Sequence, residues 1–94
     1  MFIISKARYQ LSTNIKVRKE PFGLLFYNTE DTKLKFLKSG NLILPEQLVH
    51  DELLNSLIEK VNENHLIESI LKQLIEWGFV IEKRDDHNSK ISNL

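Results

Sequence analysis

The chain has 94 residues, no net formal charge at pH 7 and no cysteine, and 41% of its residues are hydrophobic. This length suits one domain with a modest core. The lack of cysteine excludes disulfide bonds and thiolate metal sites, and it fits a reducing, cytoplasmic setting. The opening MFIIS is too short an apolar run for a signal-peptide core or a membrane span. We therefore expect a cytoplasmic domain that does not enter a membrane.

Charge is distributed unevenly between the two halves of the chain. Residues 1–40 hold eight Lys and Arg against three acids, and residues 41–94 hold five against ten, which gives +5 and −5. One interpretation is an ordinary solvated surface on which basic and acidic residues happen to fall in different halves of the sequence. The other is a basic surface in the first half that meets an acidic partner.

Three segments in the first half have strand patterns. Residues 15–18 alternate apolar and polar side chains, residues 23–28 read GLLFYN, and residues 33–38 alternate again. Pro21-Phe22-Gly23 separates the first two segments, and Asn and Asp in residues 28–32 supply turn chemistry before the third. We predict three antiparallel strands.

The alternation of the third strand predicts two faces. Leu34 and Phe36 should point to one side, together with Leu24 and Phe26 as core, and the lysines should point to the other side.

Helical periodicity follows from Ser39 onward. We predict a short helix that Ser39 caps and that carries Leu42, Ile43 and Leu44, with Pro45 interrupting or restarting it. A second helix should span about residues 52–62 after Asp51. A third should run from Asn64 to Trp77 and end at Gly78, with a wide apolar stripe and Trp77 packed on the sheet. The predicted fold is α+β, a three-stranded antiparallel sheet followed by three helices, in the plan of a winged helix-turn-helix.

Catalytic and metal-binding patterns are weak throughout the chain. The three histidines, His50, His65 and His87, have no metal-ligand spacing. The glycines are scattered and form no phosphate-binding loop, and Ser39 has no nearby base. We expect no enzyme activity, no catalytic residue, no metal and no cofactor.

DNA binding is the alternative that the helix order invites. A DNA-reading helix needs basic or amide side chains on its outer face, and the third helix offers Lys72 and Gln73 beside Glu68 and Glu76. The charge of the helical half would repel phosphates. We keep a small winged-helix DNA-binding regulator as the alternative function, expect no nucleic-acid partner, and keep a dimerising structural subunit as a third option.

Two motifs carry a resemblance to a known family. Residues 17–27 read VRKEPFGLLFY and residues 33–39 read LKFLK between Lys33 and Ser39. In both stretches the chain resembles the mycofactocin-system peptide chaperones of the MftB family, within the PqqD-like group of RiPP recognition elements. The resemblance extends more loosely over residues 9–82, and Pro45 departs from the pattern. We expect a recognition-element domain over residues 1–82 and a polar, disordered tail over residues 83–94.

The resemblance implies a function and a site. Such domains carry no cofactor, bind the leader segment of a ribosomally made precursor peptide between the third strand and the third helix, and deliver it to a radical SAM maturase. Strand addition at an open edge would supply the backbone contacts, and a homodimer is possible through the same edge. The residues assigned to leader binding are Lys33, Leu34, Lys35, Phe36, Leu37, Lys38, Ile67, Leu71, Lys72 and Ile75.

Overall fold

A computed structural model describes residues 8–83. The elements are β1 (Tyr9–Leu11), β2 (Ile15–Glu20), β3 (Gly23–Asn28), β4 (Leu34–Leu37), α1 (Glu46–Val49), α2 (Asp51–Glu59), a 3₁₀ turn (Val61–Glu63), α3 (His65–Trp77) and β5 (Val80–Glu82). A mixed α+β chain with a small antiparallel sheet and three α-helices is confirmed. The strand β1 is an addition to the predicted order, and β5 contains Val80 and Ile81, for which the sequence left a short extended piece or a helix extension open. Of the expected tail, only Lys83 falls within the described residues.

The three predicted strands form one antiparallel sheet in the order β2-β3-β4. Pro21 and Phe22 make the tight turn between β2 and β3. Gly23 follows with φ of 150°, and a Cβ at this position would overlap the Leu37 carbonyl oxygen and the Ser39 backbone. Only glycine allows this approach, so Gly23 lets the end of β4 close over the start of β3.

The turn between β3 and β4 uses the side chains that the sequence predicted. The Asn28 Oδ1 atom accepts a hydrogen bond from the Glu30 N–H at 2.8 Å, and Asp31 Oδ1 accepts from the Lys33 N–H at 2.9 Å. These local bonds satisfy backbone N–H groups that have no strand partner in the turn. They set the register with which β4 returns along β3.

That register decides which side chains of β4 face the core. Leu24 and Phe26 are fully buried, and they pair with Leu37 and Lys35. Leu34 and Phe36 therefore lie on the opposite face, where they are 52% and 62% exposed. The predicted alternation is confirmed, but the expected core role of these two residues is wrong. Alternation identifies two faces, and only pairing with β3 shows which of them is buried.

The first helix begins later than predicted. Residues 42–44 are not helical, and α1 begins at Glu46 directly after Pro45. Proline disfavours helical geometry in the residue before it but suits the first turn, so Pro45 starts the helix and does not interrupt it. Ser39 consequently caps no helix. It is buried, and Ile43 still contributes to the core.

The second and third helices follow the sequence closely. Helix α2 begins at Asp51 itself, after His50, and ends earlier than expected at Glu59. Helix α3 has the predicted ends. Asn64 Oδ1 accepts hydrogen bonds from the N–H groups of Leu66 and Ile67 at 2.9 and 3.3 Å, and Gly78 adopts a left-handed conformation with φ of 80°. Both caps satisfy backbone groups that a helix end leaves open.

A second, two-stranded sheet joins the two ends of the described chain. β1 pairs antiparallel with β5, and Leu11 lies opposite Val80. The buried side chain of Asn55 on α2 anchors this sheet, because its Oδ1 accepts from the Tyr9 N–H at 2.8 Å and its Nδ2 donates to the Tyr9 carbonyl at 2.9 Å. The Asn55 side chain thus satisfies both backbone groups of Tyr9, as a neighbouring strand would.

One core connects both sheets with the helices. Its largest fully buried side chains are Phe26, Leu24, Ile43, Leu48, Leu54, Leu71, Leu74 and Val80. No helix within residues 8–83 is long and apolar enough to cross a bilayer.

Candidate functional site

The outer edge of β4 is open. β4 pairs with β3 on one side, and no strand within residues 8–83 pairs with its other side. The Asn28 N–H donates to the Lys33 carbonyl at 3.0 Å, which makes these two residues a hydrogen-bonded pair. Antiparallel pairs alternate between bonded and non-bonded, so the backbone groups of Lys35 point to β3 and those of Leu34 and Phe36 point outward. Two N–H groups and two C=O groups therefore line the open edge.

The C-terminal end of α3 lies under the core-facing side of this edge. Lys35 Nζ sits 5.1 Å from the centre of the Trp77 ring, in cation–π geometry. The Trp77 ring also lies 6.5 Å from Phe26 and 5.4 Å from Phe79, measured between ring centres. The predicted packing of Trp77 against the sheet is confirmed, and its half-buried ring joins β4 to α3.

Trp77 is the α3 residue that contacts β4 through Lys35, and residues at helical spacing from Trp77 share its flank of the helix. A helix rotates by about 100° per residue, so Leu66, Ile70 and Gln73 lie within about 40° of Trp77 around the axis. Ile70 is buried, Gln73 is half-buried and Leu66 is 62% exposed. This set of four residues, Leu66, Ile70, Gln73 and Trp77, is called the α3 flank below. The sequence analysis did not assign it to the site, although its i, i+4, i+7, i+11 spacing belongs to the wide apolar stripe.

Three of the four residues assigned to α3 occupy other positions on the helix. Ile75 and Lys72 lie about 160° and 140° from Trp77 by the same rotation. Leu71 is 0% exposed in the core and lies about 120° from Trp77. Ile67 is half-buried against the core and lies about 80° from Trp77. Of the four, only Ile67 is near the flank that β4 faces.

The residues assigned around β4 do gather along its edge. Lys33, Lys35 and Lys38 are exposed, and Leu37 is half-buried against the core on the same face as Lys35. Leu34 and Phe36 present their backbone at the edge and their side chains on the opposite face.

Ionisable groups outside this edge form only scattered pairs. Lys83 Nζ lies 2.9 Å from Asp51 Oδ2, and His65 Nδ1 lies 3.7 Å from Glu68 Oε1. Within residues 8–83, no three His, Asp or Glu side chains converge on a point where a metal ion would fit. The described residues offer instead the open backbone edge of β4 and the Trp77 ring beside it, which are suited to contact an extended peptide.

An open strand edge beside a partly apolar helix flank is typical of small domains that bind peptides. Residues 8–81 match the model of the peptide chaperone MftB family, and the chain belongs to that family. The match covers the motifs on which the resemblance was based and confirms it. Searches of curated proteins and of solved structures return no match. Peptide chaperone is a non-catalytic role, and membership implies that the chain binds a precursor peptide and works with a maturase in mycofactocin-type RiPP biosynthesis.

Proposed function

We propose that the chain binds the leader of its precursor peptide as a fourth strand along β4, and presents it to a radical SAM maturase. The observation that carries the proposal is the edge of β4, which has no strand partner within residues 8–83 and whose Lys35 lies over Trp77 at the end of the α3 flank. A winged-helix arrangement, with the three-stranded sheet as the wing, is part of the same proposal. So is the assignment of residues 1–82 to one domain.

Backbone pairing supplies the framework of the proposed complex but not its whole affinity. A leader strand would meet the outward N–H and C=O groups of Leu34 and Phe36. Each hydrogen bond contributes about 0.5–1.5 kcal/mol net. Ordering a flexible peptide costs about 2–5 kcal/mol or more. The two terms nearly cancel, so side chains of the leader must add the remaining stabilisation.

The core-facing side of the edge provides apolar contacts for those side chains. Alternate leader residues would lie over Leu37 and the Trp77 ring and reach the exposed Leu66 on the α3 flank. Burying one Leu or Ile side chain there contributes about 1.5–3 kcal/mol. Two such residues would contribute about 3–6 kcal/mol, so the apolar contacts would supply most of the net affinity.

The lysines at the edge supply selectivity. Lys33, Lys35 and Lys38 are exposed around β4. Edge lysines guard a free strand against self-association, and they also attract acidic side chains of a leader. The two roles are compatible.

Isothermal titration with the precursor peptide encoded beside this chain tests the proposal. We expect one peptide to bind per chain, and we expect a scrambled peptide and a DNA duplex to bind much more weakly. Absence of binding by the native peptide would refute the proposal.

A matched pair of variants locates the contact. Leu66→Ser removes an exposed apolar side chain from the α3 flank, and Leu53→Ser removes one of similar exposure from α2. We expect Leu66→Ser to weaken leader binding by about tenfold, which corresponds to part of one buried side chain. Leu53→Ser should bind like the parent. Equal affinities would place the leader away from the α3 flank.

A further inference from the structure

The face of the sheet that points away from the core carries an apolar patch. Register places Leu25 opposite Phe36 and Tyr27 opposite Leu34 on this face. Phe22 adds to the patch, because its ring meets the Phe36 ring edge-on with 5.7 Å between centres. All except Leu25 are exposed. Leu25, Tyr27 and Leu34 also line a groove of about 380 Å³ together with residues of β2.

This patch, which we call the outer-face patch, shares with the proposed leader site only the backbone groups of Leu34 and Phe36. The leader would occupy the edge of β4 and the core-facing side. Tyr27 and Leu25 lie on the central strand, with their side chains on the other face of the sheet. Contiguous aromatic and aliphatic side chains exposed on a small domain mark a surface that contacts another macromolecule.

The charge around the patch indicates what kind of surface covers it. Lys16 lies opposite Tyr27 and Arg18 lies opposite Leu25, so both cations border the patch on the side of β2. Arg18 forms an ion pair with Glu20 at 2.6 Å, whereas Lys16 is exposed beside the groove. A partner that places apolar side chains at its centre and carboxylates at its rim would match this arrangement.

We propose that the outer-face patch is the docking surface for the maturase, which would present an apolar centre with an acidic rim. The inference rests on the proposed function, because it takes the maturase as the partner. A second copy of this chain fits less well, since two such faces would bring cationic rims together. A protein docked on this face leaves the edge of β4 free, so the maturase and the leader can be held at the same time.

Binding of the maturase by paired variants tests this inference. Tyr27→Ser removes an aromatic ring from the patch, and Val49→Ser removes an exposed apolar side chain at the end of α1. Lys16→Glu reverses a charge at the rim, and Lys60→Glu makes the same change after α2. Affinity for the radical SAM maturase encoded with this chain is measured for each, beside leader affinity and thermal unfolding.

We expect Tyr27→Ser and Lys16→Glu each to weaken maturase binding by about tenfold or more, which is typical of a residue near an interface centre or at a complementary rim. The loss in Lys16→Glu should shrink as salt rises. Leader affinity and the two controls should be unchanged. Because Lys16 is exposed, Lys16→Glu keeps the test valid if Tyr27→Ser fails to fold.

Two outcomes would overturn the inference while leaving leader binding intact. One is maturase affinity that neither patch variant changes. The other is a parent chain that sediments as a dimer and that Tyr27→Ser converts to a monomer, which would assign the patch to self-association. Failure of leader binding in the parent chain would instead count against the proposed function.

Discussion

At the scale of single residues, burial separates the side chains that hold the fold from those that meet a partner. Leu71 was assigned to the leader site because it lies in the apolar stripe of α3. In the structure it is 0% exposed and belongs to the hydrophobic core. A peptide cannot contact Leu71 unless the core opens, so its contribution is to stability.

We predict that Leu71→Ala lowers the free energy of unfolding by about 2–5 kcal/mol, because it leaves a cavity in a close-packed core. Urea denaturation of the parent and the variant measures the change. Leu53→Ala, at a half-exposed position on α2, is the control and should cost much less. A loss of leader affinity in Leu71→Ala without a loss of stability would show that the residue is a contact after all.

Lys35 is an exposed charged residue that also packs against an aromatic ring. Its ammonium group lies over the Trp77 ring, on the side of β4 that the leader would cover. We predict that Lys35→Glu weakens leader binding by about tenfold at low salt and by less at high salt, since screening reduces the attraction between exposed charges.

Titration of Lys35→Glu at several salt concentrations measures this dependence, and Lys60→Glu provides the same charge change at a distance from the edge. An affinity that does not differ from the parent at low salt would remove the steering role of Lys35.

At the scale of elements, the proposed site depends on the direction of the backbone groups of β4. Because antiparallel pairs alternate, the N–H and C=O groups of Leu34 and Phe36 point outward and those of Lys35 point to β3. Proline lacks an N–H group, and edge strands tolerate it where the N–H would face solvent.

We predict that Leu34→Pro keeps the fold but weakens leader binding by about tenfold relative to Leu34→Ala, because one hydrogen bond is lost and the ring obstructs the approaching strand. Lys35→Pro should instead destabilise the sheet, since it removes a bond to β3. Calorimetry and urea denaturation together separate the two effects. Equal leader affinity in Leu34→Pro and Leu34→Ala would show that the edge is not paired.

The sequence predicted the elements whose signals are local. Asn64 and Gly78 mark the two ends of α3, and the sequence predicts them because capping depends on only a few neighbouring residues. The turn before β4 was likewise evident from Asn28 and Asp31. β1 was not predicted, because a strand of three residues has too little alternation to detect and its partner β5 lies about seventy residues further along the chain.

The sequence identified β4, the strand of the proposed site, and left undetermined which face of it is buried and which flank of α3 lies beside it. Which face of β4 is buried depends on its register with β3, and which flank of α3 meets β4 depends on how the helix packs. Both depend on tertiary packing and not on the local sequence. The register with Leu24 and Phe26 settles the first, and the contact between Lys35 and Trp77 places the end of α3 beside β4, on the flank that carries Leu66 and Gln73 and not Lys72 and Ile75.

At the scale of the whole molecule, Asn55 ties the ends of the described chain to its helical half. Its side chain bonds both backbone groups of Tyr9 and also donates to the Asp51 carbonyl at 2.8 Å. Through β1 this links β5, and therefore the end of α3, to α2.

We predict that Asn55→Ala lowers the free energy of unfolding by about 1–3 kcal/mol or more, because buried backbone groups lose their partner. Asn62→Ala, at an exposed position in the 3₁₀ turn, should change it little. Urea denaturation followed by tryptophan fluorescence measures both variants. Similar stabilities for the two would contradict the anchoring role of Asn55.

The two proposals together divide the surface of the molecule between two partners. β4 and the α3 flank would take the leader, and the opposite face of the sheet would take the maturase. Both surfaces share β4, so a leader strand paired to it would lie directly beside the docked enzyme. This geometry gives a small chaperone a physical means of presenting a peptide that it holds only by one edge.

The central claim is that the leader pairs with the outward backbone groups of β4, and amide hydrogen exchange by NMR tests it most directly. At saturating precursor peptide, the account predicts that the amides of Leu34 and Phe36 gain at least about tenfold protection, while those of Lys35 and Leu37, already directed to β3, change little. Saturated binding with unchanged exchange at Leu34 and Phe36 would contradict it.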